Sequence, residues 1–131
     1  MYSELKKLYA LCFPDRKHQW DEQDFADLKK SGCEMIASQN SFVVWRVIDD
    51  EAEIISLGVA PVARRTGTAS TLMQLVENDV KQMGVKTIFL EVDNANIPAI
   101  ELYKKTGFSD VGIRPHYYEN GHDAIIMKKE I

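Results

Sequence analysis

Apolar residues Leu5, Leu8, Tyr9 and Cys12 recur at helical spacing, which predicts an opening helix that ends near Phe13-Pro14. Residues 21–30 repeat that spacing with Phe25 and Leu28 on one face, and Ser31-Gly32 supplies the stop. From Cys33 the period shortens to that of a strand. Residues 34–38, 42–48 and 52–59 read as strands, separated by the polar turns Gln39-Asn40 and Asp49-Asp50-Glu51. Three strands joined by tight turns form an antiparallel meander. Leu72, Leu75, Val76, Val80 and Met83 then return to helical spacing, with Gly84 as the C-terminal cap.

Residues 85–92 are the next strand, rich in β-formers. A helix lying between two strands implies a crossover, so this strand should run parallel to the one ending at Val59. Asn94 to Asn96 make a polar turn, Pro98 falls in a first helical turn where its missing N–H costs nothing, and the helix continues to Gly107. Residues 108–114 and 123–129 add a closing antiparallel pair around a loop at 115–122. The expected architecture is α/β: a mixed sheet of an antiparallel meander plus one parallel pair, with helices on both faces. Its ligand should enter where the carboxyl ends of the parallel strands diverge.

The junction of strand and helix at residues 57–77 is the stretch with the outline of an anion site. Gly67, Thr68, Ala69 and Ser70 are small and open a helix whose first N–H groups lack intrahelical acceptors, while Arg64 and Arg65 add positive charge. An ordinary strand-to-helix connection has the same local appearance. The nucleotide P-loop is excluded, because its Lys and second Gly are absent.

Two side chains are candidates for proton chemistry. Alternation along 85–92 sets Thr87, Phe89 and Glu91 on the face opposite Ile88, Leu90 and Val92, so Glu91 is a carboxylate beside an aromatic at the end of a central strand. Desolvation there suits a group that takes a proton, whereas a solvated strand-end glutamate would do nothing. Tyr103 shares a helix face with Ile100 and Ala99, which aims its ring at the core, as a proton donor or as a packed tyrosine. Trp20 and Phe25 either line a substrate entrance or pin the first helices to the sheet.

Composition narrows the class. The 131 residues suffice for one domain, with 45% hydrophobic and 27% charged residues. A net charge of -4 without a basic face argues against nucleic acid as a direct partner. Cys12 and Cys33 have no metal or redox spacing, and neither do His18, His116 and His122, so no metal is expected. The charged N-terminus and the lack of a long apolar run point to a cytoplasmic protein without membrane contact.

Arg64-x-x-Gly67-x-Ala69, preceded by Val59-x-Pro61, resembles the pyrophosphate loop of the GNAT N-acetyltransferase superfamily, whose form is [Q/R]-x-x-G-x-[G/A]. Asn96-x-x-Ala99-x-x-Leu102-Tyr103-x-x-x-Gly107-Phe108 is similar to the second signature of that family. Leu90-Glu91-Val92, Tyr117-Tyr118 and Asp123-Ala124-Ile125-Ile126-Met127 look most like its RimI branch, which acetylates the N-terminal alanine of a small-subunit ribosomal protein. The resemblance covers residues 33–131. It implies acetyl-CoA as cosubstrate, with Leu57, Gly58 and Val59 pairing with the pantetheine arm. Arg65, Thr66, Gly67, Thr68, Ala69 and Ser70 would surround the pyrophosphate, and Asn96 would touch the cofactor.

It further implies Glu91 as general base, directly or through a water, and Tyr103 as general acid toward the thiolate. A backbone N–H at Val59 would polarise the acetyl carbonyl. The family usually begins with a strand, whereas this chain begins in a helix, so one sheet edge should be altered. The acceptor implied is a primary amine, with a protein N-terminus foremost and a lysine, a polyamine or an antibiotic as alternatives; the oligomeric state is open. A non-catalytic acetyl-CoA sensor or a plain interaction domain would have no use for Glu91 and Tyr103 together.

Overall fold

Three of the four helices start at a capping side chain or a glycine. α1 (Tyr2–Cys12) turns Leu5, Leu8, Tyr9 and Cys12 inward. α2 (Glu22–Lys30) opens with a capping box in which Asp21 and Asp24 each accept the other's backbone N–H. α3 (Thr68–Gln82) buries Leu72, Met73, Val76 and Val80, then exits through Gly84 at φ +86°. α4 (Ile97–Lys105) is capped by Asn96, whose side chain accepts from the Ala99 N–H, with Pro98 in the first turn.

A computed structural model describes residues 1–131. Its sheet has six strands, β1 (Glu34–Ala37), β2 (Ser41–Ile48), β3 (Glu51–Val59), β4 (Thr87–Asp93), β5 (Ser109–Arg114) and β6 (Ala124–Glu130), in the order β1-β2-β3-β4-β6-β5. The meander β1-β2-β3 is antiparallel, β3 and β4 are the single parallel pair, and the remaining pairs are antiparallel. The first element within residues 1–131 is α1, and β1 forms the meander edge of the sheet.

The final pair enters with the later strand inside. β6 carries the fully buried Ala124 and Met127, whereas no residue of β5 is buried. Burial on both faces selects β6 for the inner position and leaves β5 at the edge.

The sheet separates two cores. On one face α3 and α4 pack Leu72, Val76, Val80, Ile100 and Tyr103 over Val43, Ile54, Ile88, Leu90 and Met127. On the other, α1 and α2 pack Leu5, Tyr9, Cys12 and Phe25 over Phe42 and Val44. Along β2 and β3 the register jumps from Val44↔Ser56 to Trp45↔Ile54, so Ile55 is an extra residue. Such a bulge bends its strand and increases the local twist.

Beyond the bulge, α1 approaches β3 so closely that Gly58 has no room for a side chain. A Cβ there would lie 2.6 Å from Phe42 Cε1 and 2.9 Å from Cys12 Cβ and Sγ, and both neighbours are buried. Overpacking a closed core costs about 1–3 kcal/mol. Gly58→Ala should therefore lower the unfolding free energy by about that amount, seen as an earlier midpoint in thermal or urea melts followed by circular dichroism.

Candidate functional site

The parallel ladder between β3 and β4 ends at Ile54↔Leu90, although β3 continues to Val59 and β4 to Asp93. The two strands therefore splay, and a cleft of about 590 Å³ opens between them. Ala60 N–H donates to Asn40 O on the β2 side. Alternation then directs the N–H groups of Leu57 and Val59 away from β2, into the splay. Leu57 lines the cleft, together with Glu91, Asn96 and Tyr103.

Glu91 and Tyr103 reach this gap from opposite sides of the sheet. Tyr103 is 8% exposed, and burial pushes its phenol up to about 12, so the hydroxyl stays protonated through the neutral range as a donor. Glu91 is not the desolvated carboxylate that its aromatic neighbour suggested. Arg114 Nε donates to Glu91 Oε1 at 2.7 Å, and both side chains keep access to water. That bond arises because β6 lies between β4 and β5, which sets Arg114 opposite Ala124 and Ala124 opposite Asp93.

Two residues further along β4, Asp93 anchors the far rim. Burial disfavours its charged form, but the Ala95 N–H, Asn120 Nδ2 and His122 Nδ1 outweigh this and hold the carboxyl below its usual range. Asn96, although it borders the cleft, spends its side-chain oxygen on capping α4.

The loop between β3 and α3 lies beyond the cleft's end. A 3-10 turn at Pro61–Ala63 leads into Arg65 at φ +63° and Gly67 at φ +81°, and α3 starts at Thr68. None of the backbone N–H groups of residues 65–70 has an acceptor within the chain. Left-handed residues followed by a helix start turn such groups toward one point, the arrangement that receives an anion. A Cβ added at Gly67 meets nothing within 4 Å, so open space lies beside this residue of the loop.

Arg64 has another task than adding charge. Its Nε donates to Val59 O at 3.0 Å and its Nη2 to Cys12 O at 3.3 Å, which ties the loop to β3 and to the end of α1. Thr66 and Thr68 bond each other through their hydroxyls at 2.7 Å. Ser70 turns instead into a smaller cavity of about 110 Å³ beside Glu77, Thr106 and Lys129.

The remaining cleft wall was mostly hidden from the sequence. Tyr9, Phe13, Arg16 and Trp20 face Tyr117 and Tyr118 across it, with Trp20 stacked on Tyr9 at 4.8 Å, while Phe25 is wholly core. Glu119 accepts a hydrogen bond from the Lys17 N–H, joining the β5–β6 loop to the α1–α2 loop. Only the Tyr117-Tyr118 pair and Trp20 carried a signal in the sequence. Arg16 and Arg114 carried none: the Glu91 partner of Arg114 is distant along the chain, and Arg16 lies in a loop where no periodicity aims a side chain.

The family model for the acetyltransferase (GNAT) family matches residues 2–108. The [ribosomal protein bS18]-alanine N-acetyltransferase of Escherichia coli strain K12 is 33% identical over 116 residues, which cover 82% of this chain and 78% of that protein. An N-alpha-acetyltransferase of Sulfurisphaera tokodaii is 37% identical over 78 residues, 59% of this chain and 47% of that protein. Among solved structures, the ribosomal-protein-S18-alanine N-acetyltransferase from Escherichia coli superposes with a TM-score of 0.84 at 28% identity, over 98% of this chain and 86% of that one.

Proposed function

Because the chain belongs to the GNAT acetyltransferase family and is an N-acetyltransferase, we propose that it transfers an acetyl group from acetyl-CoA to the α-amine of a protein N-terminus. The observation that carries this reading is the splay of β3 and β4, which opens the sheet between a carboxylate on one side and a protonated phenol on the other. Acetyl-CoA, when bound, supplies the activated acetyl thioester. The unaccepted amides of Arg65, Thr66, Gly67, Thr68, Ala69 and Ser70 suit its pyrophosphate, and the free edge of Leu57, Gly58 and Val59 suits the amides of its pantetheine arm.

Within the cleft each residue has a separable role. Glu91 takes the proton from the acceptor's ammonium, directly or through a water, and Arg114 holds that carboxylate in place. The Val59 N–H, turned away from β2, would donate to the acetyl oxygen as negative charge develops on it. Tyr103 donates its proton to the departing sulfur, a role its raised pKa permits because the phenol is protonated at working pH. The α-amine is favoured over other acceptors by the names of the relatives from Escherichia coli and Sulfurisphaera tokodaii, and by aromatic walls suited to a peptide's first residues. The reading places the enzyme in the cytoplasm, where the free thiols of Cys12 and Cys33 would persist.

An acetyl-CoA assay on N-terminal peptides, N-blocked lysine peptides and small amines, with the product located by mass spectrometry, tests the acceptor. Acetyl on the α-amine is expected. Acetyl on lysine alone would overturn this acceptor and leave the family membership intact.

Tyr103→Phe keeps the ring and removes only the proton donor. Loss of a positioned acid costs a factor of about 10²–10⁴ in rate, and the lower end is expected because a thiolate leaves readily unaided. Acetyl-CoA affinity should hardly move, since the hydroxyl matters as charge develops on sulfur. An unchanged kcat, with chemistry shown to be rate-limiting, would return Tyr103 to a packing role.

A further inference from the structure

Three arginines border the cleft, and two of them are neutralised. Arg114 is paired with Glu91 at 2.7 Å, and Arg46 reaches Glu53 at 3.5 Å. Arg16 has no carboxylate within ion-pair distance. It is nevertheless firmly held. Its Cζ sits 4.0 Å above the Phe13 ring, its Nη1 donates to Tyr9 Oη at 2.9 Å, and its carbonyl accepts from Gln19 Nε2 at 2.8 Å. Nε and Nη2 remain without an acceptor in the chain.

A fixed guanidinium stacked on aromatic rings, with one edge used and the other free, is prepared for a planar anion. Its surroundings point the same way. Arg16, Tyr118 and the base Glu91 all line the one cleft. An acceptor whose amine meets Glu91 therefore lies in the same cleft as Arg16.

We infer that Arg16 is a carboxylate subsite, so that the acceptor carries an acidic side chain close behind its reacting amine. This rests on the acetyl-transfer reading for where the amine sits, but the subsite itself is a property of the aromatic-backed guanidinium. A free amino acid offers the same carboxylate chemistry from its own α-carboxyl. The acidic peptide is favoured, because Tyr9, Phe13, Trp20, Tyr117 and Tyr118 line the same cleft and offer contacts to further residues.

The test uses the full chain and alanine-initiated peptides in which Asp, or Asn in the matched control, is moved one residue at a time away from the amine. At one position the Asp peptide should exceed its Asn twin by roughly tenfold to a hundredfold in kcat/KM, the range for a charge-assisted hydrogen bond. Arg16→Gln should abolish the difference by lowering the Asp peptide to the level of the Asn peptide, and Arg16→Lys should retain part of it.

Calorimetry of the same peptides with coenzyme A present gives a second readout. An Arg16-dependent preference for Asp in binding without any turnover would sink the acetyl-transfer reading and sustain the subsite. Alanine preferred over alaninamide in an Arg16-dependent way would sustain the subsite and change the source of the carboxylate. Equal Asp and Asn peptides at every position in the wild-type protein, in both rate and affinity, would overturn the inference, as would a preference undiminished by Arg16→Gln.

Discussion

Parallel pairing between β3 and β4 is maintained only as far as Ile54 and Leu90, and the functional architecture depends on that loss of pairing. The extra residue at Ile55 bends β3 where the ladder ends, and the crossover through α3 commits both strands to the same direction. Backbone groups left without partners at the centre of a sheet would be expensive in a closed core. Here they face a cleft, where a ligand's amides or water can satisfy them. On this account a defect in the sheet is what makes the binding site.

The packing around the splay keeps it open. α1 lies against β3 at the side-chain-free Gly58, and Arg64 binds both Val59 O and Cys12 O, so the end of β3 is tied to α1. On the β4 side, Asp93 collects hydrogen bonds from Ala95, Asn120 and His122, which fixes the other lip. Burial raises the Cys12 thiol to about 11, with Arg64 offsetting part of the effect, so this cysteine packs as a neutral group.

Local pattern was legible in the sequence wherever one element decides its own form. The Leu5-Leu8-Cys12 spacing, the Asp21 start, the Asn96 and Pro98 start and the alternation through Ile88, Leu90 and Val92 all appear as read, with boundaries shifted by one or two residues. Gly67 carried the loop because it enters α3 from the left-handed region, which favours glycine. The order of the last two strands was not legible, since either could lie inside until their burial was weighed against the whole sheet. Arg114 beside Glu91 depends on that order, and no spacing rule links residues so far apart; Arg16 packs on nearby Phe13, but from a loop where no periodicity aims a side chain.

Backbone amide shifts on titration with coenzyme A test the central claim most directly, because they report the unpaired N–H groups themselves. In nitrogen-15 spectra of the labelled protein, the amides of Leu57 and Val59 and those of residues 65–70 should move together along one saturable binding curve. The amides of β1 should stay where they are. Saturable binding that leaves residues 57–70 unshifted, or no binding at all, would contradict the account.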